Sequence, residues 1–429
     1  MNNKLAVFGG KPIIKKKIPK YSSIGKNEIK SVNRVLKTGS LSGFYGSWRN
    51  GFFGGKEVKN LEKRWSKQFN CEHSISMNSN TSGLYCAMGA IGLSPGDEVI
   101  VPATTMSATA MCPLIYGGIP VFADIEDDTF SICVKNVKKL INKKTKAIIA
   151  VNLFGHPAEL KKLRKLANKH KIYLIEDNAQ AIMAKEGKDY CGTIGHIGVF
   201  SLNYHKHIHS GEGGICTTND DYLAKRLQLI RNHAEAVVED AKVQDLVNLV
   251  GFNLRLTELS AVIAKEQLKK LSRHVSKRID FGLEMCEGVK SLKIRGIETP
   301  KIRSDCTHSF YNWVIKYDEK KYGVKRANLV KALQCEGVPC FSGYVKPLYL
   351  LPIFQKKIAI GNKGFPFNVS SVNYDKGICP TAEDLFENKI VGLECCAYDY
   401  SKNTQKKIVN SIEKVFSSIE KLKDIKLKE

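Results

Sequence analysis

The chain has 429 residues, and this length exceeds one ordinary core, so we predict two domains, at residues 1–270 and 271–429. Hydrophobic residues make up 43% of the chain and charged residues 25%, proportions that exclude a disordered protein. No apolar run approaches the roughly 20 residues that span a bilayer. Residues 1–10 also lack the apolar core of a signal peptide. We therefore expect a cytoplasmic protein.

The formal net charge of +25 leaves three interpretations open. The lysines reflect a general lysine bias on solvated surfaces, attraction of a phosphate-rich ligand such as a nucleotide-linked substrate, or binding to nucleic acid. The lysine runs are dispersed along the chain, and no interleaved aromatic residues accompany them. This pattern favours the first two interpretations.

The 13 cysteines are scattered and form no CxxC pair. The spacing disfavours an iron–sulfur or zinc site and a disulfide framework. We expect reduced thiols and no metal.

Short apolar runs alternate with amphipathic stretches between residues 70 and 220. The runs predicted as buried strands are 98–101, 121–124, 147–153, 173–176 and 197–200, and the helices between them include 134–140 and 158–170. This alternation predicts an α/β fold with a mostly parallel sheet covered by helices. Ligands of such sheets bind beyond the carboxyl ends of the strands, so motifs that directly follow strands are the first candidates for a site.

The carboxyl-terminal part has a different character. A long helix is predicted at 257–289, followed by a strand-like segment at 309–317 and helices at 326–336 and 404–422. We expect a smaller α+β domain here.

The clearest motif is SLNYHKHIHSGEGG at 201–214, directly after a predicted strand. Its glycines permit close approach of the backbone to a ligand, and Lys206 is a candidate Schiff-base nucleophile. Taken alone, a lysine at this position is more often an ordinary surface lysine.

Two further motifs precede it. The segment LIEDNAQA at 174–181 places Asp177 at the end of a buried strand, where a carboxylate needs a partner such as a protonated pyridine nitrogen, or serves as a helix cap. The segment MNSNTSGL at 77–84 opens an apolar helix with hydroxyl groups, which suits an anion or an ordinary helix cap. The order of anion cradle, strand-end aspartate and lysine is what an enzyme of fold type I that depends on pyridoxal 5'-phosphate (PLP) requires.

On these motifs the chain resembles the DegT/DnrJ/StrS sugar aminotransferases over nearly its whole length. Further support comes from segments 94–100 (SPGDEVI), 121–124 (VFAD), 146–149 (KAII) and 251–258 (GFNLRLTE). The resemblance implies a PLP-binding large domain with an amino-terminal arm and a mostly parallel seven-stranded sheet, followed by the smaller carboxyl-terminal domain.

The resemblance also implies roles for individual residues. Lys206 would hold PLP as a Schiff base and move the substrate proton, and Asp177 would keep the pyridine nitrogen protonated. Gln180 would contact the cofactor's phenolic oxygen. The remaining cofactor-binding positions are Thr81, Ser82 and Ser201 at the phosphate, Met106 where relatives place an aromatic ring, and Asn253 at the phosphate bound by a neighbouring subunit. A homodimer is therefore expected.

Some positions depart from the family pattern. Asn80 replaces a usual glycine, His196 stands where aspartate is common, and residues 44–53 resemble an insertion near the substrate. His205, His207 and His209 flank Lys206 in a spacing that disfavours a metal site. A substrate contact is considered for His207 or His209, and also for His156.

The predicted reaction transfers an amino group from glutamate or glutamine to a keto-sugar, with pyridoxamine 5'-phosphate as the intermediate cofactor form. The acceptor is expected to be linked to a nucleotide diphosphate, with a free cyclitol ketone as the alternative, and the product to serve a surface polysaccharide or a secondary metabolite. A sugar dehydratase of the same family, a non-catalytic regulator and a nucleic-acid-binding protein are rivals. Lys206 argues against the dehydratase, because the dehydratases in this family carry a histidine at the matching position.

Overall fold

The computed structural model describes residues 4–423. The strands are β1 (His73–Met77), β2 (Glu98–Pro102), β3 (Ile119–Ala123), β4 (Thr145–Val151), β5 (Tyr173–Asp177), β6 (Lys185–Glu186), β7 (Asp189–Tyr190), β8 (Ile197–Ser201), β9 (Gly214–Thr218), β10 (Ile297–Glu298), β11 (Cys306–Thr307), β12 (Asn312–Tyr317), β13 (Cys340–Ser342) and β14 (Ile390–Glu394). The helices are α1 (Lys26–Thr38), α2 (Lys56–Phe69), α3 (Asn80–Ala90), α4 (Ala108–Met111), α5 (Val134–Leu140), α6 (Leu160–His170), α7 (Asp221–Arg231), α8 (Glu258–Ser291), α9 (Glu319–Tyr322), α10 (Arg326–Cys335), α11 (Pro352–Gln355), α12 (Pro380–Asp384) and α13 (Lys402–Phe416).

A seven-stranded sheet forms the centre of the amino-terminal part, with the strand order β1-β9-β8-β5-β4-β2-β3. The pairs β3–β2, β2–β4, β4–β5 and β5–β8 are parallel, whereas β9 runs antiparallel to both of its neighbours. Strands β2, β3, β8 and β9 are buried along their whole length because helices cover both faces of the sheet. This arrangement explains why these segments are apolar runs rather than alternating patterns.

The expected α/β fold with a mostly parallel seven-stranded sheet is confirmed. The five predicted strands match β2, β3, β4, β5 and β8 to within a few residues. The run at 147–153 ends earlier than expected, because Leu153 begins a short 3-10 turn, Leu153–Gly155. Strands β1 and β9 were not predicted.

A second, antiparallel sheet with the order β10-β12-β14-β13 lies in the carboxyl-terminal part. One face packs on the second half of α8 and on α10 and α13, forming a separate apolar cluster. Leu5 and Ile14 of the amino-terminal arm are buried in this cluster, and backbone N–H groups of Ala6 and Ile13 donate to the carboxylate of Glu336. The arm therefore contacts the carboxyl-terminal part of the chain.

The division at residue 270 stays a prediction, and this residue lies within the continuous helix α8. The carboxyl-terminal part also contacts the large sheet, because Tyr349, Phe354 and Tyr374 pack around Phe122 of β3. Within residues 4–423, no helix is both long and apolar enough to cross a membrane.

Candidate active site

The predicted site residues converge at the carboxyl edge of the large sheet. Asp177 is the last residue of β5 and Ser201 the last residue of β8, and these two strands are parallel neighbours. The side-chain Nδ2 of Asn80, at the start of α3, donates to the carbonyl oxygen of Val199 at 3.1 Å. The beginning of α3 is thereby held against the same edge.

Asp177 is a buried carboxylate held by neutral donors. Thr109 Oγ1 donates to Oδ2 at 2.8 Å, the backbone N–H of Ala179 donates to Oδ1 at 3.2 Å, and Asn80 Nδ2 lies 3.5 Å from Oδ1. Burial raises the pKa of Asp177, and these hydrogen bonds and the charge of Lys206 act in the opposite direction. Within residues 4–423, the side-chain and backbone groups that hydrogen-bond to this carboxylate are all neutral, so it suits a cationic ligand group such as a protonated pyridine nitrogen.

Glu176 points to the other face of the strand and has a different environment. Its carboxylate accepts backbone N–H bonds from Gly192 at 2.6 Å, Ile194 at 2.8 Å and Gly195 at 2.5 Å. Burial raises its pKa, and these hydrogen bonds lower it. Glu176 therefore fixes the turn before β8 and does not face the site.

Lys206 lies in the loop between β8 and β9. Its Nζ is 4.4 Å from the ring centroid of Tyr311, within the range of a cation–π contact. Burial lowers the pKa of Lys206 to about 8, with Asp177 acting in the opposite direction. At pH 7 about a tenth of the Lys206 side chains are therefore unprotonated amines, the form needed for attack on an aldehyde, and this fraction rises to about half at pH 8.

The start of α3 contributes the hydroxyl groups. Ser79 caps the helix by accepting the N–H of Ser82 at 3.0 Å, and Thr81 lines the cavity described below. Ser82 itself is buried, and its Oγ donates to Asn78 Oδ1 at 2.5 Å, outside the cavity lining. The close approach of this turn to β9 requires glycine at 214, since a Cβ there would lie 2.4 Å from the backbone of Ser79.

Both the oxygen and the nitrogen of the Gln180 side-chain amide form hydrogen bonds. Its Oε1 accepts the backbone N–H of Phe154 at 2.9 Å, and its Nε2 donates to the hydroxyl of Tyr344 at 2.7 Å. This amide links β5 to a residue of the carboxyl-terminal part at the cavity wall.

A cavity of about 200 Å³ joins these groups, and its lining includes Thr81, Met106, Asp177, Gln180, Ser201 and Lys206. Ser82 and Asn253 are the two predicted residues that the lining does not include. Asn253 is exposed, and its backbone forms an isolated antiparallel bridge with Asn232. A wider cleft of about 420 Å³ lies beside Asp127, Lys316 and Lys389, whose charges pair with one another, and contains no predicted site residue.

The histidines take different positions from those considered above. His205 lines the cavity, whereas His207 is buried outside it with Nε2 2.9 Å from the carbonyl oxygen of Ser309. His156 is also away from the cavity, between Pro157 and Arg303. The lining does not include His156, His207 or His209, and a substrate contact for any of these three histidines stays a prediction. Among residues 4–423, no group of three or more His, Cys, Asp or Glu side chains has the geometry of a metal site.

Sequence reasoning did not find Thr109, Tyr311 and Tyr344, which contact Asp177, Lys206 and Gln180 respectively. No local motif marks them. The only signal is that Thr109 follows β2, whose carboxyl end meets the same edge of the sheet.

The residues fit PLP by their chemistry. A buried carboxylate, an amine of lowered pKa and a hydroxyl-rich helix start surround one cavity, and these are the groups that bind the pyridine nitrogen, the aldehyde and the phosphate of this cofactor. Together with the sheet, they define a PLP-dependent transferase of fold type I.

Comparisons with known proteins agree with this class. The family model of the DegT/DnrJ/EryC1/StrS aminotransferase family matches residues 23–389. The spore coat polysaccharide biosynthesis protein SpsC of Bacillus subtilis is 29% identical over 359 residues, covering 82% of this chain and 88% of SpsC. The GDP-perosamine synthase of Vibrio cholerae is 30% identical over 339 residues, covering 79% of this chain and 87% of the synthase. The solved aminotransferase of Psychrobacter cryohalolentis superposes with a TM-score of 0.81 at 26% identity, covering 94% of this chain and 99% of that one. The chain belongs to the DegT/DnrJ/EryC1/StrS aminotransferase family, whose cofactor is PLP.

Proposed function

We propose that this protein transfers an amino group from glutamate or glutamine to the ketone of a sugar linked to a nucleotide diphosphate. The observation that carries the proposal is the convergence of Lys206 and Asp177 on one cavity. The names of two relatives, a GDP-perosamine synthase and a spore coat polysaccharide biosynthesis protein, support a nucleotide-linked sugar and a role in polysaccharide synthesis. A cytoplasmic location stays a prediction.

Lys206 and Asp177 have different roles in the proposed reaction. PLP, when bound, supplies the electron sink that stabilises negative charge at the carbon that loses its proton. Lys206 would hold the cofactor covalently through Nζ until the amine of the donor displaces it. Its freed amine would then take the proton from the donor carbon, and in the second half-reaction it would deliver a proton to the acceptor carbon. Asp177 carries the negative charge that keeps the pyridine nitrogen protonated.

The other lining residues orient the cofactor. Thr81 and Ser201 bind the phosphate through their hydroxyl groups. Ser82 contributes through the helix start, since its hydroxyl already donates to Asn78. Gln180 would contact the phenolic oxygen through its second N–H, and Met106, which is 59% exposed and lines the cavity, would pack on the cofactor ring.

Asn253 supports a homodimeric working unit. Its side chain is exposed and lies outside the cavity lining of its own chain. We assign it to the cofactor phosphate of a second copy, so that each cavity is completed by the partner.

A dehydratase of the same family is the second candidate. The lysine at position 206, with its pKa lowered by burial, favours amino transfer, because an amine in that state binds the aldehyde and moves the substrate proton.

The test follows the absorbance of the purified full-length protein with PLP, first alone and then with glutamate or glutamine. Transfer predicts that the visible band disappears as pyridoxamine 5'-phosphate forms, and that a nucleotide-linked keto-sugar restores the band while an amino-sugar accumulates. Lys206→Ala abolishes both changes, whereas Lys165→Ala, at an exposed position on α6, leaves them intact. Release of a deoxygenated sugar with no stable amino-sugar would replace the proposal with the dehydratase.

A further inference from the structure

The orientation of the Gln180 amide is fixed by the backbone. The N–H of Phe154 donates to one end of the amide at 2.9 Å, so that end is the acceptor oxygen. The other end is then the NH₂ group, which lies 2.7 Å from the Tyr344 hydroxyl and donates to it. Tyr344 therefore uses its oxygen as an acceptor toward Gln180.

The hydroxyl proton of Tyr344 consequently takes no part in the hydrogen bond with Gln180. The residues described in the structure offer it no acceptor, and Tyr344 lines the cavity that contains Lys206 and Asp177. Burial raises the pKa of Tyr344 to about 12, so the hydroxyl stays protonated at neutral pH. The cavity therefore contains a neutral hydrogen-bond donor, the Tyr344 hydroxyl, whose oxygen position is fixed and whose proton is available to a ligand.

Surrounding contacts hold Tyr344 in a strained backbone conformation. Its φ of 119° is unusual for a residue with a side chain, and Phe154 has a φ of 58°. The two rings meet edge to face with centroids 4.9 Å apart, so ring packing and the amide hydrogen bonds fix the hydroxyl together. Strain of this kind persists where the surrounding structure over-determines a conformation, and it concentrates at functional sites.

We propose that the Tyr344 hydroxyl donates a hydrogen bond to the carbonyl oxygen of the acceptor ketone, which makes Tyr344 a further catalytic residue. The inference rests on the proposed function. Gln180 is assigned to the phenolic oxygen of the cofactor. In PLP, the ring carbon that carries this oxygen is bonded to the ring carbon that carries the reactive aldehyde group. The Tyr344 hydroxyl is fixed 2.7 Å from Gln180 in the lining that also contains Lys206, so a ketone that reacts beside Lys206 would share this cavity with the hydroxyl.

The donor acts on the charge that develops during the reaction. As nitrogen adds to the carbonyl carbon, the carbon–oxygen π bond opens and negative charge grows on the oxygen. That oxygen then takes up two protons, as many as the attacking amine nitrogen gives up, and leaves as water while the carbon–nitrogen double bond forms. A donor placed beforehand stabilises this charge without reorganisation, and removal of one such donor typically costs on the order of 10²–10³ in rate.

The experiment compares Tyr344→Phe with the unaltered protein in the two half-reactions separately. Phenylalanine retains the ring contact with Phe154, and thermal unfolding checks that the variant is folded. We expect the spectrum of bound PLP and the reaction with the amino donor to be unchanged, and kcat/KM for the keto-sugar to fall by about 100-fold. The matched control is Tyr222→Phe, at an exposed tyrosine on α7 outside the cavity lining, which leaves both half-reactions intact.

Three outcomes would overturn the inference. An unchanged keto-sugar reaction would show that the hydroxyl is not used. An equal fall in both half-reactions, or a shifted spectrum of bound PLP, would assign the hydrogen bond to the phenolic oxygen of the cofactor. If the unaltered protein reacts with no amino donor, the proposed function itself fails, and the inference fails with it.

Discussion

The ammonium of Lys206 lies over the face of the Tyr311 ring, with Nζ 4.4 Å from the ring centroid. Tyr311 belongs to the segment just before β12, so the carboxyl-terminal part of the chain supports the amine at the edge of the large sheet. Two opposing effects set the protonation of this amine. Burial favours the neutral form, whereas the negative face of the ring and the carboxylate of Asp177 favour the cation.

The first prediction concerns the pH dependence of cofactor capture. Because burial lowers the pKa of Lys206 to about 8, the rate at which the cofactor-free protein binds PLP covalently should rise with pH around a midpoint near 8. Tyr311→Leu removes the ring that stabilises the cation, so we expect the midpoint to fall by roughly 0.5–1. Stopped-flow absorbance between pH 6 and 10 measures both. Tyr311→Phe keeps the ring face and should keep the midpoint, and a midpoint near that of an exposed lysine would contradict the burial argument.

The second prediction is that Asp177→Asn slows amino transfer and raises the unfolding temperature of the cofactor-free protein. Burial raises the pKa of Asp177 above its ordinary value of 3.8, so ionisation destabilises the cofactor-free fold as pH rises through the raised pKa. The variant should therefore unfold at a higher temperature than the unaltered protein at pH 8, and this gain should shrink as the pH approaches 4. Amino transfer should fall by at least about 100-fold, because a neutral amide no longer holds the proton on the pyridine nitrogen.

Calorimetry of the cofactor-free proteins and the donor half-reaction check these two effects. Asp189→Asn, at an exposed aspartate paired with Lys161, serves as the control and should change neither. Asp177→Asn activity within a few-fold of the unaltered protein would contradict the role assigned to the carboxylate.

The third prediction separates Glu176 from its neighbour Asp177. Glu176→Gln replaces one carboxylate oxygen by an NH₂ group that faces backbone donors, so the N–H groups of the 192–195 turn lose an acceptor. We expect the free energy of unfolding to fall by about 2–4 kcal/mol. Urea denaturation measures it, with Glu159→Gln, at a surface pair with Lys162, as a control expected to change the free energy of unfolding far less. A loss no larger than the control would mean that the turn is held by other contacts.

The five parallel strands of the large sheet and the central pair of the site were predictable from the sequence because they depend on local patterns, whereas β1 and β9 were not predicted. About ten residues are enough to identify the strand that ends in Asp177, and the same holds for the glycine-rich loop that carries Lys206. Parallel strands then bring their carboxyl ends to the same edge of the sheet. Thr109 and Tyr344 were not predictable, because they lie 68 and 164 residues from their partners and belong to no motif. His205 and His207 are separated by one residue in an irregular loop, so no periodicity indicated which side chain enters the cavity.

The fourth prediction concerns Gly83, which sets the distance between α3 and the sheet. A Cβ at this position would lie 2.6 Å from Val199 Cγ1 and 2.9 Å from Cys216 Sγ, so Gly83→Ala forces α3 away from β8 and β9. Alanine gains about 1 kcal/mol in helix propensity, but overpacking of a core costs about 1–3 kcal/mol, so the net effect is destabilising. The displacement also moves Thr81 and Ser82 at the helix start.

We therefore expect PLP affinity to fall by about 10-fold or more, a loss of about 1.4 kcal/mol, alongside a lower unfolding temperature. Equilibrium titration with PLP and thermal unfolding measure the two quantities. Gly46→Ala is the matched control, since nothing lies within 4 Å of a Cβ at that position, and it should leave both unchanged. If Gly83→Ala lowered stability but bound PLP normally, the start of α3 would not be the phosphate-binding element, and the roles of Thr81 and Ser82 would have to be reassigned.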